Sequence, residues 1–479
     1  MEYVLGIDVG TNATKTGLFD LGGRLVDLEH AEYPVDYPAE GRVEQDPEHW
    51  WNAITATVRR LVRRRGIKHD VRALSLSTQG GVTLLLDRSY GPLHPGISWL
   101  DARAMEIVPQ LSRETSVEEL YRSCGFPALG RLNLSQAVWF RLKRPDLFER
   151  CAHFASAVDY LNQRLTGIFA VDISNLAHNA LLDMSSGDYS DRLLEVAGLS
   201  RQQLPEIIPS GTPVATVTRN AALELDLNPE VLVVSGAHDQ YCASVGAGAA
   251  EVGDCVLSAG TAWALLATTD RPHFDEQYGV FPGIHVFQGR HGLMSAVSAG
   301  GNSLNWFREA FAGSTPFRKL DEAALGVEAG SLGLVFVPRL NAQSGRGAFL
   351  GIDNVHSLSH FARAVMEGVA LFNQMSLERI RELGVPLRRL IMIGGGAKST
   401  LWPQIVADMA KLPLFVPNQT EAPCVGAALL ALTGAGFVDG IEAACRRLSD
   451  SGHTVEPNPS LGAVYTDLAV IVSDCLEHI

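Results

Sequence analysis

The chain has 479 residues, of which 46% are hydrophobic and 19% charged, an ordinary globular composition long enough for two or three domains. A net charge of −14 disfavours a nucleic-acid partner, which would require a basic face. No apolar run reaches the length of about 18 residues that a membrane span needs, and the N-terminus lacks a basic, apolar leader. We therefore expect neither a membrane association nor a signal peptide.

The cysteines are scattered, odd in number and free of any Cys-x-x-Cys spacing. In a chain of this length that pattern predicts reduced thiols, a cytoplasmic location and no structural zinc. The positions are Cys124, Cys151, Cys242, Cys255, Cys424, Cys445 and Cys475.

The chain opens with three strand-like runs between residues 3 and 30, separated by turns at Gly10 and Gly22-Gly23. A strand–strand–strand opening is not a Rossmann fold, in which a helix follows the first strand. A helix comes next, with Asp46 as its N-cap, Pro47 in its first turn and Gly66 at its end. Further strands are predicted at 71–77 and 83–87.

Residues 105–165 look mostly helical, and 172–189 are polar and irregular. A buried strand over 231–235 leads into the segment 236–240, and the small residues 245–249 are a candidate hinge. Beyond it, Ser258-Ala259-Gly260-Thr261 repeats the pattern of Asp8-Val9-Gly10-Thr11. This internal repeat predicts two related α/β domains, 1–244 and 245–479, facing a cleft.

Asp8 stands at the end of the first strand, beside a turn rich in N–H and hydroxyl groups. A carboxylate in this position suits a Mg²⁺–phosphate pair, because Mg²⁺ takes one or two carboxylates together with phosphate oxygens. Gly10 lets the backbone approach a phosphate, and Thr11, Asn12 and Lys15 offer donors. The alternative is a plain hairpin turn followed by a surface lysine.

Two further glycine turns follow apolar strands and are candidates for nucleotide contacts. Gly260-Thr261 is the second phosphate candidate, and Gly394-Gly395-Gly396 precedes a short segment that ends in Ser399. The glycine triplet has an equally good structural explanation, a helix entry that needs close strand–helix packing. The P-loop, Gly-x-Ser-x-Gly and His-Glu-x-x-His motifs are all missing from the sequence, which excludes the enzyme classes that depend on them.

Asp239, in Gly236-Ala237-His238-Asp239-Gln240, is the candidate general base. Phosphoryl transfer to an alcohol depends on positioning and charge neutralisation, with one residue accepting the hydroxyl proton. The alternative is an aspartate that caps a helix. His238 is the competing base, and Gln240 is a candidate substrate contact.

Trp99, Asp101 and Arg103 alternate along an extended segment and so share a face. An indole and a carboxylate suit a polyol, and the alternative is a structural Asp101–Arg103 pair. Backbone can also approach a ligand at Gln79-Gly80-Gly81. These residues, with Asp239 and Gln240, form the predicted substrate set.

Together these motifs resemble the FGGY carbohydrate kinases, ribonuclease-H-like ATPases related to hexokinase and actin. The likeness spans nearly the whole chain. It rests on the segments 6–11, 44–51, 159–167, 236–240, 347–352, 360–368, 394–399 and 421–428.

The resemblance implies a kinase that uses ATP and Mg²⁺, with Asp239 as base and Asp8 as the residue that organises the magnesium. It implies phosphate contacts from Thr11, Asn12, Lys15, Gly260 and Thr261. Nucleoside contacts would come from Gly395, Gly396 and Ser399. The resemblance also implies that the domain 1–244 binds the sugar and carries out catalysis and that the domain 245–479 binds the nucleotide.

The pattern is nearest to xylulokinase-like members, which implies phosphorylation of a ketopentose such as xylulose. Members with a pentulose or glycerol substrate carry larger side chains where this chain has Gly80 and Gly81, and Gln136 stands where a lysine is usual. Ribulose, erythritol, gluconate and glycerol therefore remain alternative substrates. An ATPase without a sugar substrate and a silent sugar sensor are the rival functions, and the sequence leaves a homodimer open.

Overall fold

The computed structural model describes residues 1–297, 300–340, 346–447 and 451–476. The chain divides into two compact units. The first comprises Met1–Ala250, Asp270–Gly292 and Glu421–Leu448, and the second comprises Glu251–Thr269, Leu293–Thr420 and Ser449–Ile479. The units are defined by packing, so the functional division at residues 244 and 245 remains a prediction.

The strands, in chain order, are β1 Tyr3–Val9, β2 Ala13–Asp20, β3 Leu25–Glu32, β4 Glu44–Gln45, β5 Val71–Thr78, β6 Leu84–Leu86, β7 Gly96–Ile97, β8 His153–Ala155, β9 Ala170–Val171, β10 Leu182–Asp183, β11 Asp188–Tyr189, β12 Glu206–Ile207, β13 Pro213–Thr216, β14 Leu232–His238, β15 Asp254–Ala259, β16 Trp263–Thr269, β17 Phe281–Ile284, β18 His291–Val297, β19 Val335–Val337, β20 Ala348–Leu350, β21 Arg389–Ile393, β22 Leu414–Pro417 and β23 Gly452–Val455.

The α-helices are α1 Pro47–Arg65, α2 Val108–Glu114, α3 Val117–Cys124, α4 Asn133–Lys143, α5 Pro145–Phe148, α6 Ala157–Thr166, α7 Ile173–His178, α8 Asp191–Ala197, α9 Arg219–Leu225, α10 Asp239–Gly246, α11 Gly300–Phe311, α12 Phe317–Leu325, α13 Leu358–Glu382, α14 Trp402–Ala410, α15 Ala422–Gly434, α16 Ile441–Arg446 and α17 Gly462–Leu476.

The main sheet of the first unit has six strands in the order β13-β14-β5-β1-β2-β3. β1 pairs antiparallel with β2 and parallel with β5, and β5 pairs parallel with β14. Parallel strands carry their carboxyl ends to the same edge, where ligands bind in open α/β sheets. The ends of β1, β5 and β14 therefore bring the segments after residues 9, 78 and 238 to one edge.

Six consecutive strands of a second, seven-stranded sheet follow the order β23-β22-β21-β15-β16-β18, which matches the first sheet strand for strand. β15 pairs antiparallel with β16 and parallel with β21, as β1 does with β2 and β5. The outermost pair, β22 and β23, is antiparallel, like β13 and β14. The repeat between the turns at Gly10 and Gly260 is thus a repeat of topology.

The first helix shows why local sequence was informative. Asp46 accepts a hydrogen bond from the Glu48 amide at 2.9 Å, and Gly66 ends the helix with φ of 64°. The apolar stripe is buried, so a face of α1 packs on the sheet. The predicted strands at the N-terminus are also confirmed, as β1, β2 and β3.

Two expectations require correction. The strand predicted over 231–235 runs on to His238, so Asp239 is the first residue of a helix. The irregular stretch 172–189 contains α7, β10 and β11. The candidate hinge at 245–249 is buried and its first two residues complete α10, and its role as a hinge stays a prediction. A Cβ atom on Gly246 would lie 2.0 Å from the Ala422 carbonyl oxygen, so the small residues there allow α10 and α15 to pack closely.

Cys124, Cys151, Cys242, Cys255 and Cys424 are buried and form no disulfide. The side chain of Cys475 lies outside the described part of the chain. Within the described ranges, no helix combines the length and the apolar character required to cross a membrane.

Candidate active site

Asp8 lies opposite Ser77 across the parallel pair β1–β5. The Ser77 hydroxyl donates to Asp8 Oδ1 at 2.7 Å. Burial raises the pKa of Asp8 to about 7, against the hydrogen bond from Ser77, and the negative charge of Asp239 raises it further. The two candidate carboxylates are therefore close enough to interact electrostatically, as a site with a cation between them would require.

Lys15 stands opposite Asp8 on the other side of β1, in β2. Its Nζ lies 2.6 Å from Glu421 Oε2, and the lysine side chain is 41% exposed. Glu421 directly precedes α15, which packs on β1 in the same unit. Lys15 is thus held by an acidic partner that is more than 400 residues away in sequence.

The turn at Gly10 is tied to the predicted substrate segment. The Trp99 indole donates to the Thr11 hydroxyl at 3.1 Å, and the Gln45 amide donates to the Thr11 carbonyl at 2.7 Å. Asn12 is exposed. The structure therefore brings Trp99 to the phosphate-candidate turn and fixes Thr11 from both its side chain and its backbone.

Asp239 begins α10 and retains an oxygen that could accept a proton. Its Oδ1 is buried and has no hydrogen-bond partner among the described residues. The His238 Nδ1 atom lies 3.1 Å from this oxygen but accepts the Gln240 amide at 3.2 Å. A neutral imidazole that accepts through Nδ1 carries its proton on Nε2, so it offers no hydrogen to Asp239.

Burial shifts the pKa values of the two candidate bases in opposite directions. It raises the pKa of Asp239 to about 6, against hydrogen bonds from Gln240, and lowers the pKa of His238 to about 3. A general base works best when its pKa is near the operating pH. This difference favours Asp239 over its neighbour as the proton acceptor.

Gln79 and the two glycines after it follow the end of β5. The Gln79 side chain is 3% exposed, and neither its oxygen nor its nitrogen has a hydrogen-bond partner in the described part of the chain. Because an unpaired buried amide is costly, this residue is suited to a polar ligand. A Cβ on Gly80 would lie 2.4 Å from His238 Cδ2, and Gly81 has φ of 69°.

Asp101 is occupied by structural partners. Its two oxygens accept from Arg103 Nε at 2.9 Å and Nη2 at 2.8 Å, and Oδ2 also accepts from the Val43 amide at 2.6 Å. The carboxylate is 1% exposed. These contacts favour the structural interpretation of the Asp101–Arg103 pair, and a substrate role for Asp101 stays a prediction.

In the second unit, Gly260 and Thr261 form the turn between β15 and β16. The Gly260 carbonyl accepts from the Gly301 amide at 3.1 Å, and the Thr261 carbonyl accepts from the Asn302 amide at 2.9 Å. The turn is therefore fastened to the first residues of α11. Its amide and hydroxyl groups are not used in these bonds.

In the triplet Gly394-Gly395-Gly396 after β21, the outer two glycines pack against Ala259 and the middle one is exposed. A Cβ on Gly394 would meet Ala259 backbone at 3.0 Å and one on Gly396 would meet the Ala259 side chain at 2.9 Å, whereas Gly395 is exposed. The Ser399 hydroxyl donates to Asp321 and accepts from the Trp402 amide at 2.8 Å. Ser399 therefore caps the start of α14, and a nucleoside contact from it stays a prediction.

Several residues of the site were missed by sequence reasoning. Ser77 and Glu421 hold Asp8 and Lys15, and His178 stacks on His238 with ring centroids 3.8 Å apart. Strand register and long-range packing place these residues, and neither is visible in local sequence. The strand ending at Ser77 carried a signal, because its end could have been aligned with that of β1. Glu421 begins the segment 421–428 of the family resemblance, but that resemblance did not indicate its contact with Lys15.

The two repeated sheets, with carboxylates at the strand ends of the first, are consistent with a phosphotransferase of the two-domain sugar-kinase class. The N-terminal domain profile of the FGGY family of carbohydrate kinases matches residues 3–246, and the C-terminal domain profile matches 255–435. The chain belongs to this family, as the motifs indicated, and it is an ATP-dependent sugar kinase.

Individual relatives agree on the class and differ in substrate. The chain is 30% identical over 459 residues to a xylulose kinase of Bacillus subtilis, which covers 92% of this chain and 90% of the relative. It is 27% identical over 462 residues to a gluconokinase of the same species, with 92% and 89% covered. A ligand-bound xylulose kinase structure from Lactobacillus acidophilus superposes with a TM-score of 0.93 at 24% identity, covering 100% of this chain and 98% of that one. The likeness confirms the predicted fold class.

Proposed function

We propose that Asp239 removes the proton from a carbohydrate hydroxyl, which then attacks the γ-phosphoryl group of ATP. The observation that carries this proposal is the buried, unpartnered Asp239 Oδ1 atom, on a carboxyl whose pKa is raised to about 6. Such a group is mostly ionised at neutral pH and remains a better proton acceptor than an ordinary aspartate. Gln240 acts against this burial by lowering the pKa of the carboxyl, which favours its ionised form.

Asp8 is the proposed magnesium residue. The described residues contain no cluster of three or more His, Cys, Asp or Glu side chains that could hold a metal. Mg²⁺ bound to ATP needs fewer protein ligands, because phosphates and waters complete its shell. The Asp8 carboxyl fits this demand, since burial disfavours its charge and a cation would restore it. Bound Mg²⁺ would neutralise part of the negative charge of the phosphates.

The proposed ATP contacts use the turns described above. Gly10, Thr11, Asn12 and Lys15 would contact phosphates from the first unit. From the second unit, phosphate contacts would come from Gly260 and Thr261, and nucleoside contacts from Gly395, Gly396 and Ser399. The support is the repeated hairpin turn of the two sheets, each of which presents backbone N–H groups at a strand end.

For the acceptor, Gln79, Gly80, Gly81 and Trp99 are the proposed contacts. A ketopentose such as xylulose is one candidate, supported by the xylulose kinase relatives. A sugar acid is the second candidate, supported by the gluconokinase relative. The absence of disulfides among the described buried cysteines named above supports a cytoplasmic location, and a homodimer remains a proposal.

The test is an ADP-release assay with ketopentoses, alditols and aldonates as acceptors. We expect ADP release that depends on one class of acceptor and yields a phosphorylated product by mass spectrometry. ATP hydrolysis at full rate without any acceptor would instead identify an ATPase. Calorimetric binding of a sugar without turnover would identify a sensor.

A further inference from the structure

Arg131 is a partly buried guanidinium without an acidic partner. Within the described ranges no carboxylate forms an ion pair with it, and the contact of its head group is the ring of Phe281, 5.7 Å from Cζ to centroid. Burial lowers its pKa. By contrast, the buried Arg103 is paired with both Asp101 and Glu44. A desolvated cation without a counter-charge is costly, so Arg131 is a candidate for binding an anion.

Its backbone adjoins the proposed acceptor contacts. The Arg131 carbonyl oxygen would lie 3.8 Å from a Cβ on Gly81, and it accepts from the Gln136 amide at 3.4 Å. Gly81 in turn packs on Trp99, because a Cβ on Gly81 would lie 3.1 Å from the Trp99 Cβ. Arg131 therefore belongs to the same wall as Gly81 and Trp99.

A row of rings links the guanidinium to the proposed base. Phe281 stacks on Phe126 at 5.0 Å, Phe126 packs against His178 at 5.3 Å, and His178 stacks on His238, the neighbour of Asp239. All of these residues lie in the first unit. The charge of Arg131 also contributes to the lowered pKa of His178, so the guanidinium lies within electrostatic range of the ring that stacks on the neighbour of the proposed base.

The groups along this row do not neutralise the guanidinium. Burial lowers the pKa of both His178 and His238, so neither ring is charged at neutral pH. The carboxylate that comes next in the row is Asp239, and it is separated from Arg131 by the rings. The wall thus carries a positive end at Arg131 and a negative end at Asp239.

We propose that Arg131 binds the carboxylate of an acidic carbohydrate, so that the acceptor of this kinase is a sugar acid of the aldonate type. This inference rests on the proposed function, because it names the substrate of the same site. A guanidinium presents a planar fork of donors that matches a carboxylate in two parallel hydrogen bonds. One guanidinium also balances the single charge of one carboxylate. Neutral ketopentoses and polyols offer hydroxyls alone and would leave Arg131 without a counter-charge.

The experiment compares each aldonate with the alditol that carries a neutral hydroxymethyl group in place of the carboxylate. D-Xylonate, L-arabinonate, D-gluconate and D-galactonate are tested against xylitol, L-arabinitol, D-glucitol and galactitol, with D-xylulose as the neutral sugar. We expect kcat/KM for at least one aldonate to exceed that of its alditol and of xylulose by about 100-fold, as expected for a desolvated charge pair. Arg131→Gln should remove that preference, while Arg131→Lys should retain part of it.

Arg122→Gln is the matched control, because Arg122 also lies over a phenylalanine ring but is exposed beside Glu118. It should leave the preference unchanged. A binding measurement by calorimetry without ATP separates this inference from the kinase function. Aldonate binding that is lost in Arg131→Gln supports the anion site even if no acceptor is phosphorylated. Preference for xylulose or an alditol in the wild type, or an equal loss for charged and neutral acceptors in Arg131→Gln, would overturn it.

Discussion

The His238 ring occupies the space in which a side chain at residue 80 would lie. A Cβ on Gly80 would come within 2.4 Å of His238 Cδ2 and 2.6 Å of Nε2. The His238 imidazole therefore fills the space that is left because residue 80 is a glycine.

We expect Gly80→Ala to be destabilising by about 1–3 kcal/mol, the usual cost of overpacking a buried site. His238→Ala should make room, so the double variant should be more stable than the sum of the single changes predicts. Urea denaturation of the four proteins measures this coupling. Additive free energies would show that the two residues do not compete for space.

Asp239→Asn should lower kcat by a factor of about 10² to 10⁴, because an amide cannot accept the hydroxyl proton. Nucleotide binding, measured by calorimetry, should be nearly unchanged. The matched control is Asp226→Asn, a surface carboxylate that pairs with Arg63 and Lys68. Turnover at the wild-type rate in Asp239→Asn would refute its role as the base.

The pH profile of kcat/KM should have an acidic limb set by the two carboxylates. Asp239 must be ionised to accept a proton, and its raised pKa of about 6 means that activity falls as the pH drops through this value. The neighbouring Asp8, with a pKa of about 7, moves the limb upward if it must be ionised as well. Initial rates between pH 5 and 8 test this, and a flat profile over that range would contradict it.

Asp8→Asn should increase stability while it abolishes activity. The folded pKa of Asp8 is raised above its unfolded value of 3.8, so stability associated with this group is lost as the pH rises through about 7. An asparagine carries no charge and can still accept from Ser77. We expect a gain of about 1 kcal/mol at pH 8 relative to wild type and little gain at pH 4. Thermal unfolding at both pH values is the measurement, and an equal effect at both would be evidence against buried charge as the cause.

Glu367 should be essential for the stability of the second unit. Its carboxylate accepts from Arg363 Nε at 2.8 Å, the Gly330 amide at 3.0 Å and the Ser331 hydroxyl at 3.1 Å. Glu367→Ala would leave the buried Arg363 unpaired, and we expect a loss of about 3–5 kcal/mol in urea denaturation.

The exposed pair Arg318–Glu322 provides the comparison, since Glu322→Ala should cost less than about 0.5 kcal/mol. A small effect at Glu367 would mean that its hydrogen bonds are replaced by water.

The sequence by itself determined the elements whose signals are local. Asp46 and Gly66 delimit a helix, Gly10 and Gly260 mark equivalent hairpin turns, and Asp239 follows an apolar strand, each through turn, cap or burial preferences of a few adjacent residues. Those signals predicted two related α/β domains and a candidate base, and the resemblance of the motifs to the FGGY kinases then predicted the kinase fold.

The tertiary structure alone decided which distant residues meet. Strand register placed Ser77 opposite Asp8, helix packing brought Glu421 to Lys15, and ring stacking put His178 on His238. These contacts depend on the free energy of the whole packed unit, which no short segment encodes. For the same reason Asp101, a plausible substrate residue by its spacing, lies within a buried ion pair, and Arg131, which no motif marked, stands without one.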